Sequence, residues 1–337
     1  MFIICPPKNQ LLVWELCSFL LFRCCQTSYA VSKSQTPRPY NISVDPVFID
    51  ETRFKVSNFC KSTDNNAPPW SDSPPAVDIS YIAEYWAESY DWAAVQASIN
   101  TNFSYYFTTV PPPSENYDES VNLHFIHQRS ERNNAIPIIL LRGWPFTTLE
   151  WKHLIPGLVH PVNTSHAAFH VVAPDFPGFG FSPALTGSRI NVTRTEYAAM
   201  FASLMAQLGY DRYVLYSTNL GSAVAMSLSV DYKPHIINHI TDFYCVFANG
   251  TDKARHTANL TTREESAYIN GQVAFLDKHS GYSKEHSTYP LTLAYALNDS
   301  PVGYLAWYYH LVGSANDARF SIDDYITTVL LLYIPGV

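Results

Sequence analysis

Five residues, Ser217-Thr218-Asn219-Leu220-Gly221, stand where chemistry would be done, between an apolar run and a helix-like one. Small-X-nucleophile-X-small is the pattern of a strand–turn–helix whose tight turn pushes one side chain into solvent. The small residues are needed because strand and helix pass too close for larger ones. Asn219 occupies the tip. Its amide is neutral and its oxygen attacks carbon poorly, so the covalent step of an aspartate or serine is closed to it. It can orient a water, donate or accept a hydrogen bond, or be converted to aspartate. Ser217, Thr218 and Ser222 flank the turn without holding its tip. His256, His279, His286 and His310 come later, at no spacing that aims one of them at Asn219, and Asp252 follows the next strand. No histidine or cysteine spacing is that of a metal site, and no motif calls for a cofactor.

The elements that position this turn are legible from their periods. IPIILLRGW (residues 136–144) is a continuous apolar run ending in Gly-Trp-Pro, as expected of a strand buried on both faces. FHVVAPDFPGFGFS (169–182) is a second such strand running into a Gly/Pro turn, YVLYS (213–217) a third and IINHITDFYC (236–245) a fourth. Helix patterns fall between them at 150–159, 193–209 and 221–232, the middle one with a glycine stop. Strands alternating with helices make a parallel, doubly wound sheet. Before them the chain is rich in Pro, Asn and Tyr, with helical spacing over 79–100 and a strand with one exposed face over 121–129. Asp175, ending the second strand, reads as a turn-capping residue.

Taken in order, these stretches resemble the microsomal-type epoxide hydrolases of the α/β-hydrolase fold. The likeness runs from about residue 45 to 337. It includes IAEYWAESYDWAAVQASIN, LHFIHQRSERNNAIPIILLRGWPFTTLEW and GYSKEHSTYPLTLAYALNDSPVGYLAW. The resemblance implies an α/β-hydrolase fold, a mostly parallel doubly wound sheet with a helical cap. It divides the chain into an N-terminal segment (31–135), the first half of the core (136–250) and a cap (251–337). It implies that an aspartate at position 219 would form an ester with an apolar epoxide, later hydrolysed to a vicinal diol by a histidine paired with an acid. Leu220 and Trp144 would supply the backbone oxyanion donors, and Tyr282 would protonate the epoxide oxygen. Asn219 departs from that pattern, and so does Arg142, where the family has histidine. Arg142 is open to two readings, an anion-neutralising charge near the pocket mouth or a tolerated replacement. The second tyrosine, the acid and the histidine are expected beyond Val337, so the fold is read as incomplete at the C-terminus. Three readings stay open: an impaired epoxide hydrolase, a non-hydrolytic cyclase or isomerase that opens epoxides, and a secreted pseudoenzyme binding apolar ligands.

Composition sets the outer bounds. Hydrophobic residues make up 47% and charged ones 15%, which is the balance of a globular chain. The 23 Tyr, 19 Phe and 7 Trp serve core packing or an aromatic-lined pocket. A net charge of -8 without a basic run argues against nucleic acid as a partner. Residues 1–30 read as a signal peptide: Lys8 precedes LLVWELCSFLLF, and Ser28 and Ala30 offer a cleavage site. Membrane association is expected only through that stretch, and nothing in the sequence sets the oligomeric state. Seven glycosylation sequons, at Asn41, Asn102, Asn163, Asn191, Asn249, Asn259 and Asn298, agree with a secreted glycoprotein. Cys5, Cys17, Cys24 and Cys25 would leave with the leader, so Cys60 and Cys245 remain, as one disulfide or two buried thiols.

Overall fold

The longest apolar runs form the middle of a seven-stranded sheet. In the computed structural model, which describes residues 35–62, 68–71, 74–187, 192–244, 246–313 and 320–334, the strand order is β1-β2-β3-β5-β4-β6-β7. β4 (Ile136–Leu141), β5 (Phe169–Pro174), β6 (Tyr213–Ser217) and β7 (Ile236–Thr241) run parallel. Leu140, Val171, Val172 and Leu215 within them are fully buried. The presumed leader, residues 1–30, lies outside the described residues, as do Asn191 and Cys245; Cys60 is exposed.

Three further strands complete the sheet and make it mixed. β1 (Gln35–Tyr40) and β2 (Tyr105–Val110) pair antiparallel, β2 pairs antiparallel with β3 (Val121–Gln128), and β3 joins β5 in the same sense. β1 carries two prolines and sits at the sheet edge, the place where a missing N–H costs least. β3 is buried on both faces, with His124 inaccessible to solvent, where its alternation suggested one exposed face.

The helical stretch at 79–100 is two helices, α2 (Ala76–Glu88) and α3 (Trp92–Asn102), after α1 (Pro46–Ser57). Asp91 starts α3 by accepting the Ala94 N–H at 3.1 Å. The segment at 150–159 forms a 3-10 turn (Thr148–Trp151) and a short α4 (Ile155–Val159). α5 (Arg194–Gln207) opens on the Thr193/Glu196 capping box and is followed by Gly209 at φ 79, a left-handed stop suited to glycine. α6 (Asn219–Asp231) packs on α5 and on β4, β6 and β7.

The chain divides into two compact units among the described residues. In the larger, α11 (Pro301–Gly313) and α12 (Ile322–Tyr333), from the segment read as cap, pack against the N-terminal helices. The contacts are specific: Tyr90 and Thr327 share a hydroxyl hydrogen bond of 2.8 Å, the Tyr309 hydroxyl donates to Asp78 at 3.3 Å, and Lys152 pairs with Asp324. The smaller unit, residues 244–295, contains α7 (Gly250–Thr257), α8 (Arg263–Lys278) and α9 (Gly281–Thr288). Capping boxes at Asn249 and Thr262 and the Arg255–Glu265 pair at 3.0 Å hold it together. α10 (Pro290–Asp299) follows. No described helix is long and apolar enough to cross a membrane.

Candidate active site

The turn at the end of β6 has the geometry its sequence pattern asks for. Asn219 adopts φ 44, a left-handed conformation that asparagine tolerates better than most residues. The crossing is tight. The Thr218 N–H donates to the Leu141 carbonyl at 3.1 Å and the Gly221 N–H to the Arg142 carbonyl at 3.0 Å. A Cβ at Gly221 would overlap the Leu141 carbonyl oxygen, so only glycine fits.

At the tip, Asn219 Oδ1 accepts two backbone hydrogen bonds, from Leu220 N–H at 2.7 Å and from Trp144 N–H at 3.2 Å. These are the two donors expected of an oxyanion hole, and the side chain itself fills them. The two bonds also fix which way the amide faces, because Nδ2 in that place would set donors against donors. Nδ2, a donor with its lone pair delocalised, is what remains for a ligand. Asn219 and Leu220 are half-buried, so the tip is reachable.

Glu150, which the sequence did not single out, ties the two sides of the turn together. Its Oε2 accepts the Gly143 N–H at 3.1 Å and its Oε1 the Thr218 hydroxyl at 3.3 Å. Burial pushes its carboxyl up to about 7, against the pull of the Gly143 N–H, of Arg142 and of Thr218. Arg142 is fully buried, so it does not stand at a pocket mouth. Its Nη1 donates to the Gly143 carbonyl at 2.8 Å, and its guanidinium lies over Phe176 and Phe179 at 4.8 and 4.2 Å. Burial lowers its pKa to about 10, which leaves it charged at neutral pH. Trp144 meets Trp307 edge-on at 5.5 Å, and Phe146 meets Tyr308 likewise at 5.9 Å, so α11 sets aromatic rings beside the turn.

Two other clusters approach catalytic geometry. Ser229 donates to the Ala225 carbonyl at 2.8 Å, so it accepts from His239 Nδ1 at 3.2 Å. His239 Nε2 then accepts the Ser217 hydroxyl at 2.9 Å. Ser217 is fully buried, so this serine–imidazole pair ties β6 to β7 and meets no substrate. Asp175 does cap its turn, taking the Thr148 N–H at 2.9 Å and the Phe181 N–H at 3.4 Å. It also holds His124 Nδ1 at 2.8 Å, with Tyr105 stacked on that ring. Tyr282, the expected proton donor, lies half-buried in α9 within the smaller unit. So the structure joins Asn219, Trp144 and Leu220 in one constellation. No cluster of three potential metal ligands exists among the described residues.

A mixed sheet, a left-handed tip residue between β6 and α6, and two converging backbone N–H groups define an α/β hydrolase. Residues 136–241 match the family model described as alpha/beta hydrolase fold, and residues 37–151 match that of the epoxide hydrolase N terminus. The chain belongs to the epoxide hydrolase family. It is 32% identical over 276 residues to a putative epoxide hydrolase of Stigmatella aurantiaca, covering 80% of this chain but only 59% of that protein's length. With epoxide hydrolase 1 of Sus scrofa it shares 25% over 340 residues, 91% of this chain and 71% of the relative. The crystal structure of juvenile hormone epoxide hydrolase from Bombyx mori superposes with a TM-score of 0.75 at 20% identity, over 89% of this chain and 74% of that one. The Aspergillus niger epoxide hydrolase gives 0.72 at 23%, over 89% and 75%.

Proposed function

We propose that this chain presents the family's elbow site to a small apolar epoxide, or a related oxygen-bearing ligand, without forming the ester intermediate. One observation carries the reading: Asn219 Oδ1 sits on both oxyanion donors, where one oxygen of a catalytic carboxylate would sit, and the second oxygen is replaced by Nδ2. The site thus keeps its shape and loses its attacker. In this reading the rings near Trp144 serve as apolar wall, and the acid role of Tyr282 rests on the family resemblance alone. A ligand whose own hydroxyl attacks the ring needs only that acid, so cyclisation or isomerisation is the chemistry left open and hydrolysis is not.

The secreted character of the chain belongs to the same proposal. Asn41, Asn102, Asn163, Asn249 and Asn259 are exposed and Asn298 is half-buried, so these sequons are open to modification on a secretory route.

The test is incubation of freshly made protein with a panel of apolar epoxides in oxygen-labelled water. Retained or rearranged, unlabelled ligand is the expected result. A labelled diol from protein whose Asn219 is intact by peptide mass would overturn the proposal.

A further inference from the structure

The two donors that hold Asn219 are arranged to catalyse a reaction of Asn219 itself. Water adding to Cγ drives electrons onto Oδ1, and that oxygen already receives N–H groups at 2.7 and 3.2 Å. Preorganised donors of this kind are worth about 10²–10³-fold each when aimed at a developing oxyanion. The common route of asparagine loss is different: the following backbone nitrogen attacks Cγ and closes a succinimide. Here that nitrogen is Leu220 N, and its proton is committed to Oδ1. The folded turn therefore favours direct attack by water and disfavours ring closure.

We infer that the folded chain hydrolyses its own Asn219 side chain to aspartate. The water oxygen bonds to Cγ, the Cγ–Nδ2 bond breaks, and Nδ2 leaves as ammonium, its own two protons joined by both protons of the water. One oxygen of the new carboxylate comes from water and the other is the original Oδ1, still on its two donors. No oxidant or cofactor enters. The product has the carboxylate that the proposed function finds missing, so a freshly made binding protein and an aged ester-forming one are two states of the same chain. The hydrolysis itself does not depend on that functional reading.

The experiment holds the full chain folded in mildly alkaline labelled water and follows the peptide carrying residue 219 by mass, alongside the same chain unfolded in urea. The expected outcome in the folded chain is conversion to aspartate alone, with one solvent oxygen, at least about tenfold faster than in the unfolded chain. In the unfolded, unglycosylated chain Asn249, followed by Gly250, supplies the internal reference for succinimide chemistry, which yields isoaspartate. A folded rate no greater than the unfolded one, or isoaspartate at 219, overturns the inference. Aged protein is then treated with epoxide. An adduct on residue 219 supports the family site, whereas aspartate formation without an adduct sinks the functional reading and leaves the hydrolysis standing.

Discussion

Replacing Glu150 by Gln tests the electrostatics of the turn without disturbing its shape. The glutamine oxygen can take the Gly143 N–H, and its amide can donate to the Thr218 hydroxyl, so both links survive. What disappears is a titration. Burial lifts the Glu150 carboxyl from 4.5 to about 7, so between those values the folded chain keeps a proton that the unfolded chain has released. Stability therefore falls as pH rises through that window. At about 1.4 kcal/mol per pH unit the loss amounts to about 3 kcal/mol. The Gln variant matches the parent below pH 4.5 and exceeds it by about 3 kcal/mol above pH 7. Urea unfolding followed by tryptophan fluorescence, repeated across that range, reads the difference directly. Other titrating groups cancel between the two proteins. Parallel stability curves would refute the reasoning, because they would mean that the Glu150 carboxyl is as well solvated folded as unfolded.

Further expectations follow from the same geometry. Gly221→Ala drives a Cβ into the Leu141 carbonyl and costs about 3 kcal/mol or more, visible as a large drop in melting temperature. Asp175→Ala leaves the Thr148 N–H and the His124 ring nitrogen unsatisfied in the interior at a cost of about 1–3 kcal/mol each; a total loss under about 1 kcal/mol in chemical unfolding would mean that water replaces the carboxylate. Tyr90→Phe removes the link to Thr327 that ties α12 to the N-terminal segment, with an expected loss of about 1–3 kcal/mol. Asn219→Asp restores an attacking oxygen beside the one held on the two donors, so intact mass after epoxide treatment shows a covalent adduct that the freshly made parent does not give.

Periodicity made the parallel half of the sheet readable. β4 to β7 are short apolar runs closed by turn residues, and α5 announces itself by Thr193, Glu196 and Gly209. The antiparallel half was harder. β1 has prolines in place of an alternating pattern, and β2, YYFTTV, stands in a segment whose composition reads as irregular. His124 falls on the polar side of the β3 alternation, and its burial goes with a partner, Asp175, fifty-one positions away. The position of the elbow was legible because its steric demands are local: small residues at 217 and 221 and a tip at 219. The meeting of Trp144 with Asn219 was reachable only through the family likeness. Glu150 was not reachable, since a carboxylate beside Trp151 in a helical pattern has the signature of a solvated face. Nothing nearby in the sequence says that Gly143 and Thr218 will enclose it. Arg142 misled for the same reason: an isolated cation at a strand end gives no sign that two phenylalanines thirty-odd residues later will cover it.

The strand order has a consequence for how the protein is made. β4 lies between β5 and β6, both of which leave the ribosome after it. The Trp144 donor is thus synthesised 75 residues before the side chain it holds. At 5–20 residues per second that is a wait of roughly 4–15 s, during which the Trp144 N–H lacks the Asn219 oxygen and β4 lacks its β6 neighbour. For that interval the nascent segment depends on whatever shields it at the tunnel exit, and slowing translation between the two halves would prolong the exposure.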